Sequence, residues 1–111
     1  MNINDIYQNF GFIVLNKDYK LVKEVDDLIC CDLLSWVMAN GKNNAAWITV
    51  QIHNNILAVA SLLDFSCIII PNGIKVDDAL ISKADEEEIV IFSTDLSSYD
   101  IFKKFYEFGL K

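Results

Sequence analysis

The chain has 111 residues, 53% of them hydrophobic, which allows one domain with its own core. Sixteen acidic residues stand against nine basic ones, and all nine are Lys, so the formal charge is -7 and the guanidinium fork that grips phosphates and carboxylates is absent. A surface of that sign repels a phosphate backbone, which excludes nucleic acid as an expected partner.

In chain order, Asn4 or Asn2 caps a short first helix whose Ile3, Ile6, Tyr7 and Phe10 form an apolar stripe, and Gly11 ends it. Phe12 to Leu15 reads as a strand, followed by an Asn-Lys-Asp turn. Leu21, Val22 and Val25 suggest an extended segment broken by Asp26-Asp27, with Leu28 to Cys30 extended again. Asp32 stands where a side chain can cap a helix carrying Leu33, Leu34, Trp36, Val37 and Met38, stopped near Asn40-Gly41. Ala45 to Val50 is a β run with Trp47, Ile48 and Val50 as its bulky members.

His53-Asn54-Asn55 supplies turn and cap chemistry before Ile56 to Leu63, which is apolar on nearly all sides. Cys67 to Ile70 is apolar without alternation, as a strand covered on both faces requires. Pro71-Asn72-Gly73 turns the chain, and Asp77-Asp78 opens a helix with Leu80, Ile81 and Ala84 inward and Lys83, Asp85, Glu86 and Glu87 solvated. Ile89 to Phe92 is a further β run. Ser93-Thr94-Asp95 connects it to a last helix, capped by Ser97 or Ser98, that carries Ile101, Phe102, Phe105 and Phe108. Short strands alternating with helices imply parallel βαβ units. The expected fold is α/β: a small three-layer domain with a largely parallel sheet and alternating helices.

Cys30, Cys31 and Cys67 are odd in number, and two are adjacent, which makes a poor disulfide framework. The first ten residues lack a basic segment followed by an apolar core, so no signal peptide is expected. Ile56 to Ile70 is too short to span a bilayer and contains Asp64. A cytoplasmic protein with no membrane contact is the expectation.

The runs Asp32-Leu33-Leu34-Ser35-Trp36-Val37-Met38 and Ala46-Trp47-Ile48-Thr49-Val50 are distinctive, as are Ala58-Val59-Ala60-Ser61-Leu62 and Cys67-Ile68-Ile69-Ile70 after them. Together they resemble the small stand-alone members of the DRTGG-domain family, over nearly the whole chain and most specifically between residues 32 and 70. Such domains are similar to the N-terminal domain of HPr kinase and occur inside phosphotransacetylases and some regulated inorganic pyrophosphatases. The resemblance implies a single DRTGG-like domain over residues 1–111, acting as an accessory α/β module that often forms dimers. The Gly-Asp-Arg that relatives carry before the middle helix corresponds here to Gln51-Ile52-His53-Asn54-Asn55, and their Thr-Gly-Gly to Pro71-Asn72-Gly73. Cys31 stands where a relative has Gly. No GxxxxGK[ST] loop occurs, so kinase chemistry on a bound nucleotide has no phosphate cradle.

The candidate ligand-binding residues are His53, Asn54, Asn55, Ser93, Thr94, Asp95 and Asp32. His53 is the chain's one imidazole, the side-chain type suited to acid/base and ligand chemistry, and it sits where a strand meets a helix, the ligand edge of parallel sheets. Hydroxyls and free amides at Ser93-Thr94-Asp95 can hold an anion or a carbonyl, while plain capping explains the same residues. Neither paired carboxylates with metal spacing nor a nucleophile motif stands out, so neither a metal, a cofactor nor a catalytic residue is expected. An enzyme using His53 as general base is the remaining catalytic alternative. The expected function is a non-catalytic regulatory module that senses a small metabolite or nucleotide as a homodimer. The alternative is an interaction subunit that docks a partner enzyme through its aromatic C-terminal helix.

Overall fold

The computed structural model describes residues 1–17 and 23–110. The expected extension at Leu21 and Val22 and the end of the Asn-Lys-Asp turn lie outside them. The elements run α1 (Ile3–Asn9), β1 (Ile13–Val14), β2 (Asp27–Cys30), α2 (Leu34–Asn40), β3 (Ala45–Ile48), α3 (Asn55–Leu62), β4 (Cys67–Ile70), α4 (Asp78–Glu86), β5 (Val90–Ser93) and α5 (Ser98–Phe108). The five strands form one sheet in the order β1-β5-β4-β3-β2. β2 through β5 are parallel neighbours, and β1 closes the far edge antiparallel to β5, Ile13 opposite Ser93.

Both faces are covered, which explains why the central strands lack polar alternation. On one face Trp47, Ile68, Ile70 and Ile91 pack against Val37 of α2, Ile56 and Ala60 of α3, and Leu80 and Ala84 of α4. On the other, Ala46, Ile48, Cys67, Ile69 and Phe92 pack against Ile3 and Ile6 of α1 and Ile101 and Phe105 of α5. The molecule is therefore a mostly parallel α/β sandwich of three layers, as its sequence pattern requires.

The caps distinguish where side-chain chemistry is local. Asn2, rather than Asn4, starts α1 through a reciprocal pair: its Oδ1 accepts from the Asp5 amide at 3.0 Å, and its own amide donates to Asp5 Oδ2 at 2.8 Å. Asp77 and Ser97 cap α4 and α5 as expected. α2 departs from expectation. Its N-cap is Leu33, with no side-chain cap, because the Asp32 carboxylate is engaged elsewhere. α2 also buries only Val37, leaving Leu33, Trp36 and Met38 exposed, so it covers the sheet with a narrow stripe.

Two polar links hold the long-range order. Asn16 is buried, and its side chain continues the ladder of β5: Oδ1 accepts from the Ile91 amide at 2.6 Å, and Nδ2 donates to Ile89 O at 2.8 Å and Asp85 Oδ1 at 3.1 Å. Asp85 is thereby tied to the segment after β1 rather than simply solvated. The ion pair of Lys23 with Asp64 and the bond of Ser66 Oγ to Glu24 O fasten the segment before β2 to the loop before β4.

Candidate functional site

In a parallel sheet the loops after the strands share one edge, and ligands collect where successive connections leave toward opposite faces. Here α4, which follows β4, packs on one face, while α5, which follows β5, packs on the other. The two connections are tied by backbone bonds: the Asn72 amide donates to Leu96 O and the Gly73 amide to Thr94 O, each at 2.9 Å. Gly73 takes φ +66°, and a Cβ there would stand 2.9 Å from Asp95 Oδ1. A side chain at position 73 would therefore meet both strain and the carboxylate.

Beside this seam, on the face of α1 and α5, lies a cleft of about 290 Å³. Its walls are Phe10 and Gly11 at the end of α1, Ile13 on β1, Ser93 to Leu96 after β5, and Lys104 on α5. Thr94 is buried, and its Oγ1 accepts from the Leu96 amide at 3.2 Å, which shapes the floor. Phe10 is held by edge-to-face contacts with Phe12, Phe105 and Phe108, so the apolar wall is rigid.

Each expected site residue lies on the carboxyl edge of the parallel strands, in three separate settings. Ser93, Thr94 and Asp95 line the cleft. His53, Asn54 and Asn55 precede and open α3, exposed, with His53 Nδ1 accepting from the Asn55 amide at 3.2 Å. That bond gives His53 a local structural role, and Asn54 makes no side-chain cap. Asp32 follows β2, and its Oδ1 accepts from Thr49 Oγ1 at 2.7 Å and from the Val50 amide at 2.9 Å. Gln51 Nε2 donates back to Asp32 O at 2.8 Å. Asp32 thus knots the ends of β2 and β3 together. With strands about 4.8 Å apart, the end of β3 stands about 10 Å from that of β5 across β4, so the cleft gathers only the Ser93 group.

Sequence reading missed Phe10, Gly11, Ile13, Leu96 and Lys104. Their sequence signals are those of core, turn and solvated helix, and only the pairing of β1 with β5 brings them together.

Among the described residues, no three His, Cys, Asp or Glu side chains are grouped to hold a metal ion. No helix is long and apolar enough to cross a membrane. Cys30 is exposed, Cys31 half-buried and Cys67 buried, all as free thiols. Burial pushes the Cys67 thiol up from 9.0 to about 12, against a smaller opposing pull from the Lys23 charge. Cys67 is accordingly an inert part of the core.

The class this fold defines is a three-layer α/β module with a ligand-sized cleft at a switch point. No family model matches the chain, and no curated protein sequence matches it. Among solved structures it resembles the CBS and DRTGG domains of the regulatory region of Clostridium perfringens pyrophosphatase, complexed with its activator diadenosine tetraphosphate. The superposition has a TM-score of 0.70 at 14% identity and covers 91% of this chain and 44% of that one. The chain thus spans less than half the length of that neighbour, and the likeness is one of fold. The neighbour is a regulatory region rather than a catalytic one.

Proposed function

We propose that this chain is a non-catalytic regulatory module, a single DRTGG-like domain over residues 1–111 that senses a small metabolite or nucleotide in the cytoplasm as a homodimer. The observation that carries the reading is the cleft at Ser93-Thr94-Asp95, on the carboxyl edge where α/β sheets hold ligands. The likeness of the fold to a regulatory region that holds a nucleotide activator supports it. His53, Asn54, Asn55 and Asp32 border the same edge and serve the ligand indirectly, by fixing the loops after β2 and β3.

Thermal unfolding of the chain in the presence of nucleotides, acyl phosphates, amino acids and carboxylic acids tests the reading. A ligand at ~100 times its dissociation constant stabilises by about 2.7 kcal/mol, a rise of roughly 10 °C in Tm for a domain of this size. A panel without any response would overturn it.

A second reading, docking of a partner enzyme, is supported by one feature. Tyr99, Phe102 and Tyr106 form an exposed stripe along α5. Large aromatics in that arrangement are typical anchors of interfaces.

A further inference from the structure

Lys104 and Asp95 line the same cleft, yet neither pairs with the other. Lys104 is half-buried on α5 and has neither an ion-pair nor a hydrogen-bond partner among the described residues. Its neighbours on the helix are occupied: Lys103 lies 5.6 Å from the centre of the Tyr99 ring, and Asp100 bonds Ser97. The Asp95 carboxylate and the Ser93 hydroxyl likewise lack side-chain partners among the described residues. A cation and an anion held apart across one concave surface are matched by a molecule that carries both charges.

We propose that this cleft binds a small zwitterion of the amino-acid class, with its carboxylate on Lys104 and its ammonium on Asp95. The inference rests on the ligand-binding reading above and narrows it. Size argues the same way. The cleft, about 290 Å³, lies just below the ~300–1,000 Å³ usual for small-molecule sites, which suits an amino acid better than a dinucleotide. Charge argues it again, because Asp95 offsets Lys104 and leaves the cleft no net positive charge to hold a polyphosphate. Phe10 and exposed Ile13 give an apolar side chain a wall, and Ser93 adds a hydroxyl for the carboxylate. Gly11, at φ +74° with open space where a Cβ would stand, leaves the mouth unobstructed.

Titration of the isotope-labelled chain, followed by NMR at the amides of Gly11, Thr94, Asp95 and Lys104, tests it. The probes are the common L-amino acids, the decarboxylated amine and N-acetyl derivative of each binder, and AMP and diadenosine tetraphosphate. At least one amino acid should move these amides, and both singly charged analogues should bind about tenfold or more weakly, the loss of one charge-assisted bond. Lys104→Gln and Asp95→Asn, both surface changes, should weaken it by a similar factor. An N-acetyl derivative that binds as tightly as its parent overturns the inference. So does a response to nucleotides alone, which would leave the broader ligand-binding reading standing. Silence from every probe overturns the inference, while the ligand-binding reading falls only with the wider thermal panel above.

Discussion

Replacing Asn16 with Ala would strip partners from Ile89 O and the Ile91 amide, two groups in a buried stretch of the sheet. Each unsatisfied group costs about 1–3 kcal/mol, so a loss of about 2–4 kcal/mol in urea-induced unfolding is expected. Asn16→Asp should be at least as costly, since it sets a carboxylate against Asp85 and a carbonyl. Unchanged stability in both variants would show that the ladder of β5 does not need this side chain. Cys67 makes a different prediction. Its thiol titrates at about 12 in the native chain and near 9.0 once unfolded. Between those values the unfolded chain gives up a proton that the native one keeps, so stability is whole below pH 9.0 and falls as pH rises toward 12. Wild-type chain should lose on the order of 4 kcal/mol more than Cys67→Ala across that window. Equal slopes in denaturant midpoint against pH would contradict it.

At the scale of elements, α5 separates its two faces by spacing. Ile101 and Phe105 recur at i and i+4 and are buried in the core, Phe108 touches Phe10 yet stays exposed, and Tyr99, Phe102 and Tyr106 recur at i, i+3 and i+7 on the solvent side. The aromatics of the last helix are thus partly consumed inside the molecule. If the outer stripe forms the homodimer contact, the double variant Tyr99→Ser/Phe102→Ser should fall to the monomer mass by light scattering while unfolding at nearly the wild-type temperature. A dimer that survives the change would move the contact elsewhere, and a monomeric wild type would remove the dimer. α2 shows where element-level signals mislead. Asp before an apolar run is the pattern of a cap, but Thr49 and the Val50 amide offer the carboxylate a tertiary partner. The helix then begins at Leu34 with uncapped amides.

For the whole molecule, the layers were legible because burial on both faces leaves an unmistakable mark: Cys67 to Ile70 and Ile89 to Phe92 carry no polar alternation. Asp77 and Ser97 marked their helices because capping is satisfied within three residues. The carboxyl edge followed from strand direction alone. The cleft did not, because its walls come from residues 10, 11, 13, 93–96 and 104, and their meeting depends on an antiparallel pairing that neither sequence segment signals by itself. The seam between the connections after β4 and β5 has one more consequence. The amide protons of Asn72 and Gly73 belong to a loop that leads to α4, yet their acceptors, Leu96 O and Thr94 O, belong to the wall of the cleft on the opposite layer. Solvent exchange at these two protons is therefore a gauge of the β5 loop: what tightens the loop slows it and what draws the loop away speeds it, so a ligand seated in the cleft on one side of the sheet would be readable from the other.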